Sequence, residues 1–205
     1  MPVRGEDYLA LLYRLKELGV EARLSVISRE LGVRAPSALR ELSRLESRGL
    51  VSKSKPIYFL TEAGLEVAEQ VVLRHRVLER FLADVLKADP YRAHSIAHQL
   101  EHAVEFAELV DAHIGSPSFC PHGNPVPGRA STKVVPLTEA GVGMHRLARI
   151  GELKASLEWV RTLKLQPGRP IAVKKVERGG VVVEWSGGTY TLPLPAARLL
   201  FVEKR

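Results

Sequence analysis

Thiol chemistry is nearly absent from this chain: its 205 residues include one cysteine, Cys120. A single thiol closes no internal disulfide, which sets aside the small disulfide-stapled secreted folds. No run of about 18 uncharged apolar residues occurs, so no segment reads as a membrane span. The opening stretch, MPVRGEDYLALLYRL, has its apolar run broken by charge and lacks a small-residue cleavage site. That is unlike a secretory leader, and a cytoplasmic location is expected. Internal repeats and low-complexity tracts are also missing. With 45% hydrophobic residues the chain has enough apolar material for real cores, which excludes wholesale disorder.

What is present is unevenly charged. Residues 1–60 hold 11 Lys/Arg against 7 Asp/Glu, residues 61–120 hold 5 against 10, and residues 121–205 hold 14 against 6. The acidic middle third also carries five of the seven histidines: His75, His94, His98, His102 and His113. Carboxylates and imidazoles crowded together suit a divalent cation. Basic flanks suit a polyanion.

Apolar spacing predicts a helix over 6–18, a short one over 25–31 with Ser25 as N-cap, and a third opened by Pro36 and closed by Gly49. The third helix has the stripe Ala38, Leu39, Leu42 and Leu45. Two extended runs follow, LVSK and PIYFL, which read as a small hairpin. Thr61 caps a long helix to about Lys87, and Pro90 opens another to about His113. Residues 115–136 are Pro- and Gly-rich and aperiodic, hence a loop. A helix over about 149–164 is expected next. The β-rich runs PIAVKKVE, VVVEW, TYTLP and RLLFVEK then suggest a small SH3-like barrel. The fold class is therefore mainly α with a small β part.

Helix, helix, turn, helix and two-stranded wing is the order of a winged helix-turn-helix, whose third helix enters the major groove. Its candidate DNA contacts are Arg34, Pro36, Ser37, Arg40 and Arg44, with Lys53 and Lys55 at the wing. The plain alternative is a solvated or protein-binding helix face.

Three histidines at successive i+4 steps, His94, His98 and His102, accompany Glu101. On the preceding helix His75 and Glu79 are four apart and share a face. Nitrogen and carboxylate donors suit Mn²⁺, Fe²⁺, Co²⁺, Ni²⁺ or Zn²⁺. His98-Gln-Leu-Glu101-His102 also matches H-x-x-E-H, the inverted signature of zinc hydrolases, so a hydrolase is one alternative. A metal-buffering or protein-docking module is another.

The runs LRHRVLERFL, RAHSIAHQLEH and FCPHGNPVPG resemble the diphtheria toxin repressor family of iron- and manganese-dependent repressors. The resemblance implies a metal-dependent repressor that binds double-stranded operator DNA as a homodimer. It implies a DNA-binding domain over 1–64, a metal-binding and dimerisation domain over 65–135, and an SH3-like domain over 136–205. His75, Glu79 and His94 match the family's ancillary site. His98, Glu101 and His102 match its primary site, completed by Asp7. An aspartate at that position resembles manganese-type members, where iron-type members have methionine. His98 stands where iron-type members carry cysteine and manganese-type members glutamate. Fe²⁺ or Mn²⁺ is the expected cofactor, with Zn²⁺ or Co²⁺ open. The family's further ligands from the SH3-like domain have only Glu152 as a candidate here. Cys120 and His122 form a C-x-H pair in the Pro-rich loop; a structural loop is the first reading and metal binding the alternative.

Overall fold

The computed structural model describes residues 3–203; Lys204, at the end of the last expected strand, lies outside them. Three helices open the chain: α1 (Gly5–Glu17), α2 (Leu24–Leu31) and α3 (Ala35–Ser47). A hairpin of β1 (Val51–Ser54) and β2 (Ile57–Leu60) follows, with Lys53 opposite Tyr58. This is the winged helix-turn-helix. Leu9, Leu12, Leu15, Ile27, Ala38, Leu42, Leu45 and Tyr58 form its core. Two local expectations need correction. Helix α2 starts after Arg23, without a side-chain cap, so Ser25 lies inside its first turn. Leu39 is exposed, because the buried stripe of α3 runs through Ala38, Leu42 and Leu45 only.

Helix α4 (Glu62–Asp84) is capped as expected: Thr61 Oγ1 accepts from Gly64 N at 3.1 Å and donates to Gly49 O at 2.6 Å. Gly64 allows α4 to lie on the backbone of the head, since a Cβ there would stand 1.8 Å from Leu50 O. The single helix expected over Pro90–His113 is two: α5 (Pro90–Leu100) and α6 (Val104–His113). The backbone leaves helical geometry at Ala103 (φ −87°, ψ 80°). The Glu101 carbonyl accepts from Arg74 Nε at 2.7 Å, and its carboxylate faces His75 at 2.6 Å. Glu101 thus anchors the break to α4.

The remainder holds β3 (Val134–Pro136), β4 (Gly143–Ile150), α7 (Lys154–Leu163), β5 (Pro170–Glu177), β6 (Gly180–Trp185), β7 (Gly188–Pro193), α8 (Leu194–Ala197) and β8 (Leu200–Glu203). All strand pairings are antiparallel, in the order β3-β8-β4-β5-β6-β7, around a core that includes Leu147, Ile171, Val183 and Leu200. This is the SH3-like unit. Residues 149 and 150, expected to begin a helix, instead end β4 and pair with Phe201 and Leu200 of β8.

The β-rich unit is packed onto the reading head. Leu153 and Leu199 belong to the winged-helix core. Lys154 Nζ donates to Arg29 O at 2.6 Å and its backbone N–H to Glu30 Oε2 at 2.9 Å, where a cation suits the carboxyl end of α2. Between α1 and α4, the buried Arg76 holds Glu17 through two guanidinium nitrogens at 2.5 and 3.1 Å.

Candidate metal centre and DNA-reading surface

The i+4 spacing on α4 does what helical geometry requires: His75 and Glu79 project on one face, with His75 Nε2 3.2 Å from Glu79 Oε1. From α5, His94 Nδ1 comes within 2.7 Å of that oxygen and 3.1 Å of His75 Nε2. These three form one donor group. The break after α5 then separates His102 from His98. Released from the helix, His102 turns to α1, where its Nε2 meets Asp7 Oδ1 at 2.8 Å and its Nδ1 meets Glu6 Oε2 at 2.8 Å. Asp7, Glu101 and His102 form a second group. His98, with a side chain 45% exposed, reaches Glu101 Oε1 at 2.9 Å from the edge, in a group with His75. Glu101 is shared by both arrangements.

The expected ligands are therefore brought together, but in linked groups. His98 and His102 do not flank a common helix face, so the geometry an H-x-x-E-H zinc hydrolase needs is missing. Glu101 is fully buried and engaged by His75 and His98.

A further group joins residues that the sequence offered only separately, the C-x-H pair and Glu152. Cys120 and His122 are buried beside Glu79 and Glu152, and one donor atom from each of the four lies within 4.8 Å of the others. The loop that brings them is tightly built. Cys120 N–H donates to Asn124 O at 3.0 Å and Gly123 N–H to Cys120 O at 2.9 Å. Gly123, at φ +76°, sits where a Cβ would stand 2.1 Å from Ala148 O of β4. Asn124 Nδ2 donates to Glu152 Oε1 and to Ile150 O, both at 2.8 Å. The C-x-H pair and, separately, Glu152 were the signals in the sequence. The Glu6 contact to His102 had none beyond adjacency to Asp7.

The electrostatics fit a cation. Glu79 Oε2 and His122 Nε2 are buried without a hydrogen-bond partner among the described residues, while His122 Nδ1 and Glu152 Oε2 have only ion-pair contacts, to Glu79 Oε1 at 3.3 Å and to Arg14 Nε at 3.2 Å. Unpaired buried polar atoms are costly, and a metal satisfies such a set. Burial pushes Glu101 up, but His75, His98 and Arg14 outweigh it and hold its carboxyl well below the usual range. Burial and Arg14 push His75 down, while Glu79 and Glu101 overcome them and set it at about 9. Burial lowers His94 to about 4, leaving its imidazole neutral and able to donate a lone pair. Burial and then Glu79 and Glu152 push the Cys120 thiol well up. A bound dication reverses that ordering, because coordination favours thiolate.

On the head, Arg34, Pro36, Arg40, Arg44, Lys53 and Lys55 are exposed and Ser37 is half-buried. Arg44 Nη2 pairs with Glu41 Oε1 at 2.7 Å and Arg40 Nη2 donates to Ser37 Oγ at 3.3 Å. Lys53 Nζ lies 4.8 Å from the Tyr58 ring centre. The basic side chains of α3 and the wing thus face solvent.

Comparison with known proteins agrees with this layout. Residues 3–56 match the family described as "Iron dependent repressor, N-terminal DNA binding domain", and residues 61–128 match "Iron dependent repressor, metal binding and dimerisation domain". The chain is 29% identical to the iron-dependent repressor IdeR of Mycobacterium tuberculosis over 225 aligned residues, covering 97% of this chain and 96% of that protein. Among solved structures, the manganese regulator SloR aligns over 100% of both chains at 26% identity, with a TM-score of 0.86. ScaR with bound Zn²⁺ aligns over 99% of this chain and all of that one, at 29% identity and a TM-score of 0.83. No helix among the described residues is long and apolar enough to cross a membrane. The chain belongs to the iron-dependent repressor family: it is an iron- or manganese-dependent, DNA-binding transcriptional repressor and not an enzyme.

Proposed function

We propose that this chain is a cytoplasmic homodimer that binds double-stranded operator DNA when divalent metal ties its reading head to the helices behind it. One observation carries the reading: Asp7 of α1 meets His102 across 95 residues of sequence, beside the buried Glu101. Asp7, Glu101 and His102, with His98 at the edge, would hold a cation, and its positive charge would let these residues keep the head on the α5–α6 turn. His75, Glu79 and His94 form the ancillary site, and Cys120, His122 and Glu152 extend it through Glu79. The division of labour is 1–64 for DNA, 65–135 for metal and pairing, and 136–205 for the SH3-like support.

The mechanism is a shift of population. Asp7 and Arg14 place α1 against the carboxylates, Arg76 holds Glu17, and Glu101 pins the turn to α4. Metal supplies the positive charge that draws these acids together. The head then keeps one orientation, and in a two-fold pair two α3 helices are set about 34 Å apart. Arg34, Ser37, Arg40 and Arg44, led by Pro36, meet the major groove, and Lys53 and Lys55 meet phosphates. Pairing uses α6 and the end of α4, where Val85, Leu86, Val104, Phe106 and Leu109 are exposed apolar side chains.

The test is a titration of the promoter of the protein's own operon with Mn²⁺, Fe²⁺, Co²⁺ and Zn²⁺ added separately. Metal-dependent, sequence-specific binding is expected with at least one of them. Equal affinity with and without every metal refutes the reading.

A further inference from the structure

Among the described residues, Arg14 is the side chain of the reading head whose guanidinium forms ion pairs with metal-donor carboxylates of two groups. It lies on α1, 7% exposed, with Nε 3.2 Å from Glu152 Oε2 and Nη2 3.8 Å from Glu101 Oε2. Glu101 belongs to the donor group with Asp7 and His102, and Glu152 to the group with Glu79, Cys120 and His122. Arg14 therefore faces both groups at once. Its contacts are charge without fit: Nε and Nη2 make no hydrogen bond, and neither does Glu152 Oε2. A structural arginine normally satisfies its fork, as Arg76 does in part with Glu17 and the Pro125 carbonyl at 2.6 Å. Beside Arg14 lies a cavity of about 630 Å³ that is also lined by Asp7, His94, His98, Glu101 and His102. The guanidinium has room to move there.

We propose that Arg14 is a tethered counter-cation that competes with the metal and so sets the concentration at which the protein responds. This rests on the metal-bridge reading above. In the metal-free chain the guanidinium adds its charge to that of His75 and His98 around Glu101 and to that of Arg76 beside Glu152, on the side of Glu152 Oε2 that no hydrogen bond covers. A dication that takes those carboxylates must displace Arg14 toward the cavity or bind against its repulsion. Guanidinium does not lose its proton in proteins, so the competition does not fade as pH rises. Being part of α1, Arg14 also makes metal-for-arginine exchange an event felt by the reading head.

The proposal has an unusual signature, because removing Arg14 weakens the metal-free protein while strengthening metal binding. Full-length wild type, Arg14→Met and Arg14→Lys are compared by thermal melts in chelator and by Mn²⁺ and Zn²⁺ competition against a fluorescent chelator. Arg14→Met is expected to melt lower without metal, to bind Mn²⁺ about tenfold tighter or more, and to gain more in melting temperature on metal addition. Arg14→Lys, which keeps the charge, stays near wild type. A merely structural arginine lowers stability and metal affinity together. If Arg14→Met does not fold, Arg14→Gln replaces it with the same expectation. Glu101→Gln serves as the control for the site itself. Loss of affinity in Glu101→Gln without any gain in Arg14→Met overturns the role of Arg14 alone. No loss in Glu101→Gln, or no metal binding by wild type, overturns the bridge and this inference with it.

Discussion

Replacing Asp7 separates a helix-capping role from a bridging one, since the carboxylate does both. Its Oδ2 accepts the Arg4 backbone N–H at 2.6 Å, and its Oδ1 meets His102 Nε2 at 2.8 Å. Asp7→Ala removes the first contact at a cost of about 0.5–2 kcal/mol, and the loss of charge in the first turn adds about 0.3–1 kcal/mol. His102 keeps Glu6 Oε2 at 2.8 Å through its other nitrogen, so the ring is not orphaned and the fold persists. Asp7→Asn retains an oxygen for the Arg4 N–H and loses only the charge. The two variants should therefore differ in metal-free melting temperature but agree in one respect: operator affinity no longer rises with metal. The gain that vanishes is about 5- to 150-fold, the size of an ordinary coupling of about 1–3 kcal/mol. Anisotropy of a labelled operator, at one fixed salt concentration and with and without Mn²⁺, measures it. Wild-type-sized metal dependence in Asp7→Asn refutes the bridge and leaves Asp7 as a helix-start residue.

Changing Arg34, Arg40 and Arg44 together to Ala should abolish tight operator binding with metal affinity unchanged. Each lost phosphate contact should reduce the salt slope by about 1, and unchanged operator affinity refutes the assignment of α3. Leu109, 72% exposed on α6, is expected to be covered in a dimer; Leu109→Glu should sediment as a folded monomer at micromolar concentration, and an undisturbed dimer places the interface elsewhere. His75 predicts the alkaline limb of metal-free stability. Its folded pKa of about 9 lies above the ordinary 6.5, so its contribution is complete below about 6.5 and is lost as pH rises through about 9. That gap corresponds to about 3 kcal/mol, and His75→Gln should flatten the alkaline limb of a melting-temperature profile taken in chelator. An unaltered alkaline slope in that variant shows another group to be responsible.

Elements with local signals were legible in the sequence. Thr61 marks the start of α4, Pro90 that of α5, and the β-rich runs after Pro170 became β5 to β8. Strand β4 was not legible. Its partners β5 and β8 lie some 20 to 60 residues onward, and Leu147, Ile150 and Leu153 have a spacing that also suits a helix turn. Nor was the break at residues 101–103, because the cause is tertiary: Arg74 and His75 of another helix seize Glu101. The same division holds at the site. His75 with Glu79 is a helical period and can be read directly. Cys120, His122 and Glu152 converge only because Gly123 permits a close approach to β4 and Asn124 grips both the loop and Glu152.

Helix α4 is a lever arm. It runs unbroken for 23 residues, about 34 Å, with neither proline nor glycine after Gly64, so it bends little. Its first turn lies under Leu50 and the wing, and its second half carries His75, Arg76 and Glu79. From Glu79 back to Gly64 is about 22 Å, so a 5° tilt at the donor end swings the wing end by about 2 Å. In the proposed two-fold dimer, two such arms would change the separation of their reading helices by up to about 4 Å, against a DNA repeat of about 34 Å. In that dimer a small tilt at the buried carboxylates would be carried along the rod to the double helix, without any hinge between its two ends.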